Sequence, residues 1–523
     1  MTTQKRIQHL YWRAGFGPRP EDVDADMSPR KALRKLMRES EKFEPLDSPL
    51  MRYAEIKPPF VAGSAPASVM DSRVTGMTAP PDQMATSTST TAAAVTLAPR
   101  ALLADTALAR PRLLRRSQLT PQQRKMENEG IRDAFYQMNL GWLERMASSP
   151  AQLREKMTFF WHGHFACRVR QPATALQLNN TIRQLALGNF GELLLAVSKE
   201  PAMLQFLNNQ QNRKQHPNEN FAREVMELFT IGRGNYTEHD VKEAARAFTG
   251  WSSDERHQFV FREKQHDTGT KTFLGRTGNF GGEDILTILL EQPKTAEFIT
   301  TKLYRFFVND TPNPAHIQAL AQSFYKSHYN ISGLLEQMFS ADWFYDAANV
   351  GNRIKSPIEL LAGIKRTLGV QMEDPKPLIG YEKALGQTLF EPPNVAGWPG
   401  GRNWIDSSSL LLRLQLPQVL FKNAQFNVAL KEDENDISPS VSKADRTFRQ
   451  QVKTHLELKP IATFLAKISD DQQAAKLSEF LLQAPIRPEN LALVQQAAAK
   501  APAETRLKTM ITSLLALPEY QLM

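Results

Sequence analysis

From Pro121 onward, apolar residues recur at the three-to-four-residue spacing of helices that bury one face. Segment 121–148 carries Ile131, Phe135, Met138, Leu140 and Trp142 on a broad stripe, and 150–166 continues with Leu153, Met157, Phe160 and Trp161. The pattern predicts further helices over 174–187, 190–198, 219–230, 283–291, 294–308, 314–328, 331–339, 356–367, 378–388 and 407–423, and in series through 447–515. Residues 4–45 read as two short helices around Gly15-Phe16-Gly17-Pro18, with Pro20 opening the second. Strand character is confined to 258–261 (QFVF) and 271–274, where β-branched and aromatic residues sit between polar turns. The expected fold is mainly α: a large multi-helix globular domain with at most a small β-hairpin.

Two stretches interrupt this periodicity. Residues 62–99 are rich in Ala, Ser, Thr and Pro and hold few large apolar groups, so they cannot bury enough surface to offset chain entropy. They are expected to be a disordered insertion. Residues 389–406, LFEPPNVAGWPGGRNWID, form a Pro/Gly/Trp-rich loop. The chain thus divides into an N-terminal helical segment (1–61), the insertion (62–99), a central helical domain (100–424) and a C-terminal helical segment (425–523).

Composition narrows the function classes. Sixty-four Lys and Arg against 55 acids give +9, with Arg100, Arg110, Arg112, Arg115, Arg116, Arg124 and Lys125 close together. No aromatic-and-basic RNA motif or helix-turn-helix accompanies them, so no nucleic-acid partner is expected. Cys167 is the single cysteine, which excludes an intramolecular disulfide and a Cys-based zinc site. No apolar run approaches the roughly 20 residues that span a bilayer. The first residues lack the hydrophobic core of a secretory signal, so a cytoplasmic location is expected. Phosphate-loop, dinucleotide, nucleophile-elbow and His-Glu-x-x-His motifs are all missing.

The candidate chemistry concentrates in PNENFAREVMELFTIGRGNYTEHDVKEAARAFTGW, 217–251. Asn220, Glu224 and Glu227 fall at i, i+4 and i+7, one stripe of a helix that also carries Phe221, Val225, Leu228 and Phe229. Buried carboxylates there need a cation, a histidine or an ion pair to Arg223, Arg246 or Lys271. Glu219 and Arg223 are spaced for a surface salt bridge. Thr237 and Asp240 form a variant capping box opening the next helix.

His162 and His164 flank Gly163 in FFWHGHF. On an extended turn both rings face one side, whereas a helix splays them by about 200°. They are either metal ligands or histidines satisfied under an aromatic cluster. His266, Asp267 and Lys271 in HDTGTK present an imidazole, a carboxylate and an ammonium within six residues, either as a metal or anion site or as a charged hairpin loop. Trp398, Arg402 and Trp404 on the Pro/Gly loop suit a sugar face or a peptide, or else plug the core.

Read in order, HLYWRAGFGPRPEDV (9–23), MTFFWHGHFACR (157–168), PAMLQFLNN (201–209), the 217–251 stretch, FVFREKQHDTGTKTFLG (259–275), IKSPIELL (354–361), LGQTLFEPPNVAGWPGGRNWID (385–406) and LPEYQLM (517–523) resemble the bacterial family named domain of unknown function 1800. The resemblance covers nearly the whole chain and implies no established activity. It implies export for many members, an alternative to the cytoplasmic expectation, and a neighbouring sulfatase-like partner, domain of unknown function 1501.

Two functions fit these residues. One is a metal-assisted hydrolase or transferase for a polar, glycan-like substrate. There a divalent metal ion sits on His162, His164, Glu224 and His266, catalysis runs through Glu224, His266, Asp267, Lys271 and Arg223, and Trp398, Trp404, Arg402 and Asn220 bind substrate. The other is a non-catalytic partner or assembly factor for the sulfatase-like protein, docking through the Trp/Pro/Gly loop.

Overall fold

The computed structural model describes residues 1–23, 26–47, 119–422, 428–429, 447–448 and 453–523; the low-complexity insertion expected at 62–99 lies outside them. Contacts divide the chain into one unit of Met1–Met51 with Glu129–Met523 and another of Arg52–Asn128. What is described of the latter is the opening of the Pro121–Ser148 helix. Thr120 caps it, Oγ1 accepting from the Gln123 amide at 3.2 Å while Gln123 Oε1 accepts from the Thr120 amide at 2.9 Å.

The first unit is mainly α, and its described strands form only two-stranded antiparallel pairs. The strand predicted at 258–261 is Phe259–Phe261, paired with Trp251–Ser253; that at 271–274 is Lys271–Phe273, paired with Arg276–Gly278. Many helices begin as their sequences dictate. Ser356 caps Pro357–Leu368 in a full capping box with Glu359, and Thr237 does the same with Asp240 for Glu238–Ala247.

Two boundaries differ from expectation. The second short helix starts at Pro29, capped by Ser28, not at Pro20. Pro20–Asp22 is a single tight turn held by the Asp22 carboxylate, which accepts from the Arg19 amide, Lys35 and Arg366. In the C-terminal part, Thr454–Leu456 pairs as a strand with Val370–Met372, and the next helix among the described residues starts at Lys459.

Two apolar cores share the Thr3–Ala14 helix. Ile7, Leu10, Tyr11 and Ala14 enter one, while Trp12 and the following Phe16 enter the other. The Gln152–His164 helix lies between them, with only Gly163 of its thirteen residues not buried. That helix positions the histidines.

Candidate functional site

A helix buried all round must satisfy its polar residues internally. Arg154 donates to the carbonyls of Ser40, Glu41, Arg183 and Gln184. Glu155 accepts from Trp142 Nε1 at 2.9 Å and from Arg183. Lys156 pairs with Glu359 at 2.6 Å, both essentially without solvent contact. Since the chain stays helical through His164, the rings of His162 and His164 leave on nearly opposite sides. The convergence that an extended turn at Gly163 would allow does not occur.

His162 faces the Pro/Gly loop. Its Nε2 accepts from the Phe390 amide at 3.1 Å, which places the ring proton on Nδ1. Trp142, Phe390 and Trp398 surround the ring at centroid distances of 5.0, 5.3 and 5.5 Å. Burial, then the Arg183 guanidinium, lowers its pKa to about 3, so the imidazole is neutral. The preceding amide, Leu389, donates to Glu382 Oε2 at 3.3 Å, and Asn139 Nδ2 donates to the same oxygen at 2.6 Å.

Glu382 is fully buried, its pKa raised to about 8 chiefly by desolvation, so it stands as a neutral carboxylic acid at pH 7. Its Oε1 and Asn139 Oδ1 have no hydrogen-bond partner. Phe390, between acid and imidazole, has φ +66°, a left-handed conformation rarely adopted outside glycine. Two successive amides of a strained turn thus hold a neutral acid and a neutral imidazole beneath a half-buried Trp398. The loop closes on the helix because Gly397, at φ +83°, leaves space where a Cβ would sit 2.5 Å from the Gly163 carbonyl.

His164 faces the other way, toward the stretch expected as helix 219–230. That stretch is one α-helical turn, Asn220–Glu224, running into a π-helix, Val225–Phe229. The wider π turn leaves carbonyls free for other donors. Leu228 O accepts from Lys302 Nζ at 3.0 Å and Phe229 O from His164 Nε2 at 3.3 Å, while Lys302 Nζ also donates to His164 Nδ1 at 3.1 Å. The chain of bonds is self-consistent only with His164 protonated at Nε2 alone. Burial lowers Lys302 to about 8, and burial with the Lys302 charge holds His164 well below its usual range.

Most of the remaining candidates are tied elsewhere. Glu227 accepts from Arg233 and from Tyr236 at 2.9 Å. Arg223 pairs with Glu238 at 2.7 Å and Glu219 at 3.2 Å, the latter being the salt bridge read from the spacing. Glu224 is half-buried, its pKa raised by desolvation and by Glu227. Asn220 donates to Leu207 O at 3.3 Å. Asp267 is clamped by Arg246 at 2.8 Å, His266 Nδ1 meets Thr249 O at 2.9 Å, and Lys271 donates to the carbonyls of Asp267 and Gly269. The end of the Glu238–Ala247 helix and the backbone of their own turn thus hold these three side chains.

Trp404 is buried and Arg402 exposed on the Trp398 loop. Cys167 is buried and its thiol pushed up by desolvation. Among the described residues no three His, Cys, Asp or Glu side chains gather closely enough to hold a metal ion. His162, His164, Glu224 and His266 therefore do not form one centre.

The structure brings together two residues named from the sequence, His162 and Trp398, and adds Glu382 and Asn139, which pattern reading passed over. A signal existed: Glu382 and Asn139 interrupt apolar stripes, Leu378–Tyr381–Leu385 and Phe135–Met138–Trp142. Lys302 offered none, since a lysine at the edge of an amphipathic helix is ordinary.

A family model described as "Protein of unknown function (DUF1800)" matches residues 9–522. No curated protein and no solved structure matches the chain.

Proposed function

Within the DUF1800 family of proteins of unknown function, to which this chain belongs, we propose that it is an acid–base enzyme, a hydrolase or transferase acting on a polar, glycan-like substrate. The observation that carries the reading is Glu382: a carboxylic acid kept protonated at neutral pH, with one unpartnered oxygen, one amide away from His162. An acid with a pKa near the working pH is suited to protonate a leaving oxygen. His162 is a positioning residue, holding the Phe390 amide and hence the turn whose Leu389 amide meets Glu382 on the Pro377–Leu385 helix. Trp398, half-buried on an exposed loop, provides an apolar face for a sugar ring. A divalent metal ion is not part of this reading, since the described ligands do not gather.

The test is turnover of a panel of chromogenic glycosides and sugar esters by the full chain. Glu382→Gln abolishes turnover while keeping the fold. Trp398→Ala raises KM with kcat largely kept. Turnover undiminished in Glu382→Gln, or none with any member of the panel, refutes the assignment.

A further inference from the structure

Around Glu359 the interior carries more positive charge than one carboxylate can balance. Arg13, Lys156 and Arg413 are each without solvent exposure and Arg353 is buried, against Glu359 as the buried acid they share electrostatically, while desolvation holds the equally buried Lys355 well below its usual range, so its amine adds little charge. Asp310, near Arg353, is half exposed. Lys156 takes Glu359 Oε1 at 2.6 Å, and the Ser356 amide takes Oε2 at 2.9 Å, so the acid is largely occupied. Lys355 has only the Tyr520 carbonyl and the faces of Trp12 and Tyr520, at 3.9 and 3.7 Å. Water can satisfy hydrogen bonds in such a place, but it leaves the charges unbalanced, which a dry interior disfavours strongly.

The geometry at Arg413 is more specific. Nη1 is used on the carbonyl of Lys355 at 2.9 Å and on Gln521 Oε1 at 3.4 Å. Nε and Nη2, the two donors that share the side edge of the guanidinium, have no partner. That edge is the fork which grips two oxygens of one anion. Gln521 has its oxygen on the same guanidinium and its Nε2 likewise unpartnered. A buried guanidinium edge with two unpartnered donors, an amide on the same guanidinium with its own donor unpartnered, and an excess of cations around them make the donor set of an oxyanion site.

We propose that the helical unit binds a small oxyanion in its interior, gripped by the Nε–Nη2 edge of Arg413 with Gln521 Nε2 beside it, and that this anion completes the charge balance around Glu359. The shared chemistry is two oxygens on one centre, which inorganic phosphate, sulfate and a small carboxylate all offer. The site is independent of the Glu382 reading and stands or falls separately.

The full chain is purified without these anions, and its melting is followed in sodium phosphate, sulfate, acetate and chloride at equal ionic strength. Released ions are also identified after denaturing protein taken directly from cells. Either a stoichiometric oxyanion on release or a rise in Tm that saturates with oxyanion concentration and is absent in Arg413→Met supports the site, since sulfate and phosphate also raise Tm without saturation by exclusion from the protein surface. Response to acetate as well as phosphate marks a carboxylate-tolerant cradle; phosphate or sulfate alone marks a tetrahedral one. Arg413→Met removes the dependence, and Gln521→Leu weakens it. Should Arg413→Met fail to fold, the wild-type titration and the released-ion assay still decide. No released oxyanion together with melting that follows ionic strength alone overturns the proposal.

Discussion

Glu382→Gln tests the physical premise of the acid site without any knowledge of the substrate. Glutamine keeps an oxygen for the Asn139 and Leu389 donors and removes the titration. The folded pKa of Glu382 is about 8 against an ordinary 4.5 for a glutamate in water, with full burial as the leading cause. The unfolded chain releases this proton first as pH rises, so the stability Glu382 allows is fully present below pH 4.5 and is lost progressively until about pH 8. At about 1.4 kcal/mol per pKa unit, the wild type loses roughly 1 kcal/mol by pH 5, about 3 by pH 7 and about 5 by pH 9 through this group. The difference in urea-unfolding free energy, variant minus wild type, therefore grows by about 4 kcal/mol between pH 5 and pH 9. Any fixed packing cost of the amide shifts this difference without changing its slope. A difference flat across that range means that Glu382 is ionised or wet, and the acid role fails with it.

Three further outcomes follow from the geometry. Glu359→Gln destabilises by about 3–5 kcal/mol in urea unfolding, because Lys156 loses its partner in a dry interior. Adding Lys156→Met does not restore stability, since Arg13, Lys355 and Arg413 also lean on Glu359. Lys302→Met costs about 1–3 kcal/mol by leaving Leu228 O unpaired, and the nitrogen resonances of His164 in NMR shift as its Nδ1 partner disappears. Gly397→Ala costs about 1–3 kcal/mol, as left-handed strain adds to a Cβ pressed on Gly163 O. Its tryptophan fluorescence shows Trp398 displaced from His162, and an unchanged spectrum refutes that contact.

The local elements were legible where short-range chemistry decides them. Helical periodicity, the Thr237–Asp240 cap, the two short strand segments and the Glu219–Arg223 bridge all depend on residues a few positions apart. The π-helix at Val225–Phe229 was not, although it falls within the stretch richest in candidate residues. Its apolar spacing matches an α-helix, and only the donors Lys302 and His164, which claim its carbonyls, distinguish the two. The Pro20 boundary failed for the same reason: Asp22 is held by Arg366, 344 positions away.

The chain's own pattern of apolar spacing, caps and breakers determined a mainly helical unit with a Trp-bearing loop near residue 400, because these rest on backbone geometry and nearest neighbours. Tertiary structure alone decided which polar groups meet. Helix handedness turned His162 and His164 apart, and packing of the 389–404 segment on the 152–164 helix set His162 against Trp398 and linked it to Glu382 through two successive amides. Whether a carboxyl is an ion-pair partner or a neutral acid depends on the desolvation and the donors around it. Glu359 and Glu382 look alike in sequence, each an acid among apolar helix residues, yet one meets Lys156 and falls to about 2 while the other meets Asn139 and rises to about 8.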